Sequence, residues 1–371
     1  MQNDKKSAGS KPGVLLLFGG RSTEHEVSVR SAENVKNALD REKYDLLLVG
    51  IDKKGRWVLV DDPDFFRKNS IVSYEEAREV YLPPVSGNRT LCMVRKDKRL
   101  GPIDVVFPLL HGSFGEDGTV QGLLRLCGLP FVGADVLGSA VGMDKDFMKR
   151  LLRDAGIPVP RFRAFRWCDS IDPALLRKDL GFPLFVKPAN LGSSIGISRV
   201  RNEEELKTAV ERAFCYDTKI VVEEEIEGRE IECAVLGNES PVASVPGEIV
   251  PVHEFYSYEA KYIDEEGARL LVPADLKASE KERIQRLAVE SFLVLGCEGM
   301  ARVDFFLKND GSVIVNEINT IPGFTSISMY PKLWVESGIV QSELVERLIA
   351  LGFERHEREK RLLRSFSQPG E

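Results

Sequence analysis

Apolar residues recur along this chain with two spacings, which together predict alternating strands and helices. The unbroken apolar run at 14–18 and the largely apolar run at 103–110 are typical of strands buried on both faces of a parallel sheet. Residues 23–39 and 119–127 follow these runs with the three- and four-residue spacing of amphipathic helices. The alternation predicts an α/β fold whose first domain contains a parallel sheet.

Two turns in this first domain are candidate sites. The loop 111–119 holds three glycines, two acids and His111, and it joins a strand's carboxyl end to a helix N-terminus, where open α/β sheets bind ligands. Taken alone, His111 is more commonly satisfied by nearby backbone. Residues 23–26 fit a capping box, and a first-turn acid such as Glu24 usually just complements the helix dipole. The G-x-G-x-x-G spacing of dinucleotide-binding folds is absent, so that interpretation is weak.

A hairpin near the C-terminal end carries polar side chains where core residues are expected. Strands are predicted at 301–307 and 313–319, and Asp310-Gly311 between them is typical of a two-residue hairpin loop. With that loop, four polar side chains share one face and four apolar ones share the other. The polar pairs are Asp304 opposite Glu317 and Arg302 opposite Asn319, and the apolar residues are Val303, Phe305, Ile314 and Ile318.

Two facing carboxylates on this hairpin indicate a cation site. About 5 Å apart, they repel by roughly 1 kcal/mol in water and about 3 kcal/mol at a partly buried site. Oxygen ligands from Asp304, Glu317 and Asn319 suit Mg²⁺ held against a nucleotide's phosphates. The alternative is a structural ion cluster that Arg302 neutralises. The segment 320–328 then has the glycine, proline and hydroxyl residues of a backbone-lined pocket.

Lysines and a glycine-serine loop in the middle of the chain predict phosphate binding. Asp144 caps a helix, and Lys145 lies in its first turn, where a cation opposes the helix dipole. Lys187 is a lone inward lysine in a strand, and the loop 190–196 offers backbone N–H groups and two hydroxyls to a phosphate. A flexible linker is the alternative, but seven residues between two strands favour a hairpin flap. An acidic run at 223–225 is either a solvated face or part of a nucleotide site.

Composition limits the functions that remain. The chain has 371 residues, 43% hydrophobic and 29% charged, which predicts two or three ordinary globular domains. A net charge of -7 without a basic stripe argues against a nucleic-acid partner. Six cysteines without a C-x-x-C predict neither a zinc site nor disulfides, and most are expected in the core. No signal peptide or membrane-spanning run is expected, and the predicted location is the cytoplasm.

Changes in pattern predict the domain limits. The segment 253–275 lacks clean periodicity but carries three tyrosines and a lysine, as a functional lid does. From residue 354 the charged sequence predicts a frayed end. The predicted parts are a flexible tail at 1–12, an N-terminal domain at 13–135, a central subdomain at 136–243, a C-terminal subdomain at 244–353 and a charged tail at 354–371.

Five motifs, taken in order, resemble those of the D-alanine–D-alanine ligases of the ATP-grasp superfamily. The resemblance covers about 14–352 and implies an ATP-grasp fold preceded by an N-terminal Rossmann-like α/β domain. The motifs are G-G-x-S-x-E at 19–24, HGSFGEDGTVQG at 111–122, the Lys187 strand with its Gly-Ser-Ser loop, YEAKY at 258–262 and R-x-D…N-E-I-N-T-x-P-G at 302–323.

This resemblance implies an ATP- and Mg²⁺-dependent ligase (Mn²⁺ may substitute for Mg²⁺) that joins two D-alanines through an acylphosphate, for peptidoglycan precursor synthesis. It also implies a homodimer. In that family the phosphates of ATP would meet Lys145, Lys187 and Lys261 with Ser193 and Ser194, and adenine and ribose would meet Glu223, Glu225, Ile226 and Glu230. Asp304, Glu317 and Asn319 would hold the metal. The D-alanines would meet Glu24 and His111, the oxyanion site of Arg302 and Gly323, and Ser328 with Met329.

The resemblance also bears on the product. Tyr262 would hydrogen-bond toward Ser193 and Glu24, closing the lid over the first substrate, and a tyrosine here indicates a dipeptide product. The alternatives are a D-alanine–D-lactate ligase or an ATP-grasp ligase for other amino acids. A nucleotide-binding regulator without turnover is a third, and the intact Arg302, Asp304, Glu317 and Asn319 argue against it.

Overall fold

The computed structural model describes residues 11–68, 71–251 and 268–363, which form four β-sheets flanked by helices. The strands are β1 Gly13–Gly19, β2 Asp45–Ile51, β3 Trp57–Leu59, β4 Val80–Tyr81, β5 Leu91–Met93, β6 Arg99–Leu100, β7 Val105–Leu109, β8 Phe162–Arg166, β9 Leu184–Pro188, β10 Ser198–Val200, β11 Lys219–Glu224, β12 Arg229–Gly237, β13 Val242–Ala243, β14 Gly247–Pro251, β15 Ala268–Leu271, β16 Gly299–Leu307 and β17 Val313–Asn319. The helices are α1 His25–Ala38, α2 Phe65–Lys68, α3 Thr119–Cys127, α4 Val136–Met143, α5 Lys145–Asp154, α6 Pro173–Leu180, α7 Glu203–Phe214, α8 Ala278–Val294, α9 Met329–Glu336 and α10 Gln341–Lys360.

The N-terminal sheet has the order β3-β2-β1-β7, and β1 is parallel to both of its neighbours. Every residue of β1 is buried, as its unbroken apolar run predicts. Leu16 and Phe18 pack into one core cluster, and Leu15 and Leu17 pack into another on the opposite face. The expected parallel α/β domain is therefore confirmed.

Helix α1 begins one residue later than the expected capping box, which would make Thr23 the N-cap. Glu24 is its N-cap residue and makes no side-chain capping bond, while Glu26 instead accepts a hydrogen bond from Lys53 at 2.6 Å. The buried His25 bonds the backbone of the preceding turn through Nδ1, 2.7 Å from the Gly20 carbonyl. His25 therefore bonds the turn before α1, and the Glu24 carboxylate does not cap the helix.

The central sheet, β10-β9-β11-β8, is antiparallel throughout and has a core of its own, shared with α6 and α7. Strands β9 and β10 pair with Ser198 opposite Val186, so the glycine-serine loop between them is a hairpin flap as predicted. The third large sheet has the order β15-β14-β12-β16-β17. Because β12 pairs with β16, the sheets divide between β11 and β12, before the expected limit at 243.

The expected lid at 253–275 is only partly described. Residues 268–271 form β15, which pairs with β14 through Leu271 opposite Glu248, so this part belongs to the sheet. Residues 252–267, which include Tyr262 and Lys261, lie outside the described residues.

The β16–β17 hairpin reaches its predicted register by a different route. Lys308 N–H donates to the Ser312 carbonyl at 2.9 Å, so the loop contains three residues rather than two. A β-bulge then places Asn316 between the pairs Phe305–Val315 and Asp304–Glu317. The extra residue cancels the longer loop, so Asp304 faces Glu317 and Arg302 faces Asn319 as predicted. Between bulge and loop the faces are reversed: Val313 and Val315 are buried, and Ile314 is not in the core.

Helix α10 extends through much of the expected charged tail. It ends at Lys360, and Arg355 on its inner face is 3% exposed. That guanidinium donates to the carbonyls of Gly133 and Phe131, the latter at 2.8 Å. The frayed end expected from residue 354 is therefore wrong as far as Lys360, because a buried arginine and its backbone acceptors fix the last turns.

Two further expectations concern composition. No helix among the described residues has the length and apolar content needed to cross a membrane. All six cysteines are free thiols, but only Cys127, Cys233 and Cys297 are buried, so the expectation that most are core residues is wrong.

Candidate active site

Helix α5 brings two lysines to one place. Asp144 caps it by accepting from the N–H groups of Asp146 and Phe147, as predicted. Lys145 in the first turn donates to the Leu191 carbonyl of the flap at 2.7 Å, and its Nζ lies 3.6 Å from Glu317 Oε2. The first-turn cation that opposes the helix dipole therefore connects the flap to the polar hairpin.

Lys149, one helical turn further on, is fully buried and was missed by the sequence analysis. Its Nζ donates to the Asn316 carbonyl at 2.7 Å and lies 3.3 Å from Glu223 Oε1. Glu223 Oε2 accepts from Lys187 at 2.8 Å. Burial lowers the pKa of Lys149 to about 8, with the Glu223 charge opposing the shift, and the two lysines lower the pKa of Glu223 despite its burial. The four-residue spacing from Lys145 was the available signal.

The flap itself has unusual backbone geometry. Ser193 and Ser194 are consecutive left-handed residues, with φ of 55° and 58°. Each such residue costs of order 1 kcal/mol or more, and such strain clusters at functional sites. Gly192 lies beside Glu24, since a Cβ on this glycine would be 3.5 Å from Glu24 Oε2. The flap and the first-domain turn therefore meet at the Glu24 carboxylate.

The residues expected around adenine and ribose fall into two groups. Glu223 is buried, and both of its oxygens face lysines, as described above. Glu225 forms a two-point ion pair with Arg199 on β10, with Nε at 2.8 Å and Nη2 at 2.9 Å. Ile226 and Glu230 are half-buried just beyond it, at the crossing from β11 to β12. All four residues line the junction of the central and third sheets.

The polar face of the hairpin is an ion cluster. Arg302 pairs with Asp304 through two bonds at 2.7 and 2.8 Å, and its Nε is 2.9 Å from Glu232 Oε2. Asn319 Nδ2 donates to Asp304 Oδ2 at 2.9 Å. Lys145 Nζ lies 3.6 Å from Glu317 Oε2, so a second cation besides Arg302 faces this pair of carboxylates. The structural-cluster alternative thus applies to Asp304 and Glu232, the latter being another member that sequence reasoning left out.

The same residues fit a hard divalent cation. Asp304 and Glu317 are cross-strand partners whose side chains are 14% and 25% exposed, so both carboxylates remain accessible to a cation. Within the described ranges no group of three or more His, Cys, Asp and Glu side chains is arranged to hold a metal. A site here would use two carboxylates with the Asn319 amide oxygen, a set of hard donors that suits Mg²⁺ or Mn²⁺.

The loop 111–119 holds the loop after β17 through the backbone of Ile321. His111 Nδ1 lies 2.9 Å from the Ile321 carbonyl, and Glu116 Oε1 accepts from the Ile321 N–H at 3.0 Å. Glu116 Oε2 accepts from Gly112 N–H at 2.7 Å. Burial lowers the pKa of His111, and burial with the nearby Glu24 charge raises the pKa of Glu116. Sequence reasoning did not single out Glu116.

The expected substrate residues at 323–329 form a tight turn. A Cβ on Gly323 would lie 2.7 Å from Ser328 Oγ, so a larger residue here would require the Ser328 side chain to shift. Ser328 Oγ accepts from Thr325 N–H at 3.0 Å and lies 2.7 Å from Thr325 Oγ1. The Met329 side chain packs into the core against Gly247, so it points away from the pocket and only its backbone could meet a substrate.

Comparisons with known proteins agree over nearly the whole chain. The family model of the D-ala D-ala ligase N-terminus matches residues 13–134, and that of the C-terminus matches residues 151–350. A curated D-alanine–D-alanine ligase of Oceanobacillus iheyensis is 50% identical over 363 residues, covering 96% of this chain and 99% of the relative.

Solved structures show the same similarity. The D-alanine-D-alanine ligase of Coxiella burnetii aligns with a TM-score of 0.84 and 41% identity, covering 96% of this chain and 98% of that one. The VanG D-Ala:D-Ser ligase of Enterococcus faecalis aligns with a TM-score of 0.82 and 36% identity, covering 92% of this chain and 100% of that one. A Bacillus anthracis D-alanine–D-alanine ligase complexed with ATP aligns with a TM-score of 0.72 and 28% identity, covering 94% of this chain and 99% of that one. The chain therefore belongs to the D-alanine–D-alanine ligase family, whose ADP-forming ligases have the ATP-grasp fold described above.

Proposed function

We propose that this protein uses ATP to join two D-alanines into D-alanyl-D-alanine, for peptidoglycan precursor synthesis, with its chemistry centred on the β16–β17 hairpin. The observation that carries the proposal is the sequence of contacts along β17 and its loop. Asn316 meets the buried lysines, Glu317 lies opposite Asp304, and Ile321 is clamped by the first domain. The lysines proposed to bind phosphate and the loop proposed to bind substrate therefore lie next to each other, the lysines against β17 and the loop directly after it.

In the first step the carboxylate of one D-alanine attacks the γ-phosphoryl group of ATP, which forms the acylphosphate and releases ADP. Lys145 and Lys187 hold the phosphates with Ser193 and Ser194 of the flap, and Lys261 joins them. Asp304, Glu317 and Asn319 would hold Mg²⁺ or Mn²⁺, and the metal would offset the negative charge of the phosphates. Adenine and ribose lie against Ile226, Glu225 and Glu230. The buried Glu223 contributes chiefly by orienting Lys187.

In the second step the amine of the other D-alanine attacks the acylphosphate and phosphate leaves. Arg302 and the Gly323 N–H stabilise the tetrahedral oxyanion. Glu24 and His111 hold the first D-alanine, and Ser328 with the Met329 backbone holds the carboxylate of the second. Water would hydrolyse the acylphosphate, so the site needs a cover, a role for the segment that contains Tyr262.

Phosphate release from ATP tests the proposal directly. With Mg²⁺ we expect release to require D-alanine, and we expect L-alanine and a no-substrate control to give background rates. Mass spectrometry of the product should show D-alanyl-D-alanine. Lys187→Ala should abolish ligation and weaken ATP binding while the protein stays folded. Release that is independent of D-alanine, or wild-type turnover of the variant, would contradict the assignment.

The second substrate is a separate question, because one structural neighbour is a D-Ala:D-Ser ligase. Competition among D-alanine, D-serine and D-lactate, read by mass spectrometry, decides it, and we expect the D-alanine dipeptide to dominate. Tyr262→Phe should raise the ratio of ester to dipeptide, most clearly at low pH, where the competing amine is protonated. Equal ratios for wild type and variant between pH 6 and 9 would remove Tyr262 from this choice.

The metal, assembly and location are parts of the same proposal. We expect activity to be lost on chelation and restored by Mg²⁺ or Mn²⁺, since Asp304 and Glu317 supply hard oxygen donors. We also expect a homodimer located in the cytoplasm, without a nucleic-acid or membrane partner. Sedimentation equilibrium and cell fractionation test these two points.

A further inference from the structure

Lys149 lies behind the phosphate-binding lysines, and no step proposed above uses it. Its side chain is 0% exposed, and its Nζ is fixed by the Asn316 carbonyl at 2.7 Å. The same Nζ lies 3.3 Å from one oxygen of Glu223, while Lys187 donates to the other oxygen at 2.8 Å. Two ammonium groups therefore share one buried carboxylate.

This sharing matters when Lys187 turns to a phosphate. A buried carboxylate that loses its only cation is strongly destabilised, so a lysine paired alone with Glu223 would be held in place. With Lys149 present, Glu223 keeps a cation on its other oxygen. Lys149 itself has no path to the nucleotide, because it is enclosed and bonded to the backbone of the bulge.

We propose that Lys149 is the permanent counter-ion of Glu223, and that it thereby leaves Lys187 available to the phosphates of ATP. Lys149 is in this sense a positioning residue that acts through Glu223. The proposal rests on the assignment of Lys187 to phosphate in the proposed function. It assigns different roles to the two lysines that contact Glu223: Lys149 stays paired with this carboxylate, and Lys187 moves to the phosphates of ATP.

The test is a cycle of Lys149→Met, Glu223→Gln and the double variant. Binding of a non-hydrolysable ATP analogue is measured by calorimetry, and KM is measured separately for ATP and D-alanine. We expect Lys149→Met to weaken the analogue about tenfold or more, with KM for ATP rising and KM for D-alanine unchanged. In the Glu223→Gln background the same change should have no further effect, because no carboxylate remains to hold Lys187.

A loss by the same factor in both backgrounds would overturn the proposal and leave Lys149 as an anchor for the bulge. Lys149→Gln separates charge from anchoring, since it retains an amide donor one bond short and carries no charge. We expect it to bind the analogue as weakly as Lys149→Met, and wild-type affinity would overturn the proposal. If Lys149→Met does not fold in a thermal melt, the Gln variant in both backgrounds provides the same comparison.

Failure of this inference is distinguishable from failure of the proposed function. If Lys187→Ala binds the analogue normally, the phosphate assignment itself is wrong. If Lys187→Ala loses binding while Lys149→Met keeps it, only the role of Lys149 is wrong.

Discussion

At the scale of single residues, Asp304 and Glu317 face each other but have different partners. Asp304 is held by two bonds from Arg302 and one from Asn319, whereas Glu317 has a looser ion pair with Lys145 at 3.6 Å. A simple repulsive pair would gain stability on losing one charge. Because both carboxylates face cations, we expect no gain in stability when either one is neutralised. We expect a loss of stability when Asp304 is neutralised.

Asp304→Asn and Glu317→Gln should therefore separate activity from stability. Both should lower kcat about 100-fold or more, because each removes a charge from the proposed metal site. Only Asp304→Asn should cost about 1–3 kcal/mol of unfolding free energy, since it breaks a charged bond network, while Glu317→Gln should stay within about 1 kcal/mol. Urea unfolding without metal, with kcat measured across Mg²⁺ concentrations, checks both. Equal stability losses would mean that Arg302 does not distinguish the two acids.

His111 predicts a pH dependence of stability. The Ile321 carbonyl can only accept, so Nδ1 carries the proton and Nε2 accepts from Ser31, 3.1 Å away. Burial lowers the folded-state pKa of this neutral histidine below its ordinary value of about 6.5. Below pH 6.5 the unfolded chain binds a proton that the folded protein does not, so this contribution is complete above pH 6.5 and is lost as the pH falls.

The measurement is the urea midpoint of wild type and His111→Gln at pH 7.5 and 5.5. Other groups titrate in both proteins and lower both midpoints. The urea midpoint of the wild type should fall further between pH 7.5 and 5.5 than that of His111→Gln, because only the wild type loses the contribution of His111. The same drop in both proteins would mean that His111 is not held neutral.

At the scale of elements, sequence patterns predicted the pairing of Asp304 with Glu317, but neither the loop and bulge that produce it nor the buried lysine behind it. Asp304 and Glu317 were placed correctly because a three-residue loop and a one-residue bulge cancel, which no strand periodicity reveals. Lys149 was missed because a lysine next to an apolar position such as Met148 is typical of the boundary between the apolar and polar faces of a helix. Its burial depends on Asn316 and Glu223, which lie far away in sequence and come together only in the fold.

The bulge makes a prediction of its own. Deleting Asn316 should leave the Phe305–Val315 and Asp304–Glu317 pairs in register, because the ladder closes across the gap. The deletion removes the carbonyl that accepts from Lys149, so stability should fall by about 1–3 kcal/mol and ATP binding should weaken.

Asn316→Ala is the matched control, since it keeps that carbonyl and loses only a 3.4 Å contact to Lys187. Urea unfolding and calorimetry with the ATP analogue compare the two changes. Equal effects would show that the side chain, and not the extra residue, carries the role.

At the scale of the whole molecule, the first domain and the third sheet share one core. A single apolar cluster includes Phe107 of β7, Phe324 after β17, Trp334 of α9 and Leu348 of α10. The central sheet has a separate cluster. Arg355 reinforces the shared unit from α10, reaching the carbonyls of Phe131 and Gly133.

Arg355→Met should consequently cost about 2–4 kcal/mol of unfolding free energy, because two buried carbonyls lose their charged donor. Arg347→Met on the same helix is the control: Arg347 is half exposed and pairs with Glu343 at 2.6 Å, so its loss should stay within about 0.5 kcal/mol. Thermal melts or urea unfolding compare the two arginines. Similar small costs would show that α10 is held by its apolar face alone.

The shared core also decides which parts of this chain can be exchanged with a relative. A chimera that takes residues 13–134 from another ligase brings a new surface against Phe324 and Trp334, so partners separated by two hundred residues must be transplanted together. The central sheet from β8 to β11 carries its own core and meets no such demand. Exchanging the central sheet with a relative, by one crossover before β8 and one after β11, should therefore be tolerated more readily than a single crossover between residues 134 and 151, where the two family models meet.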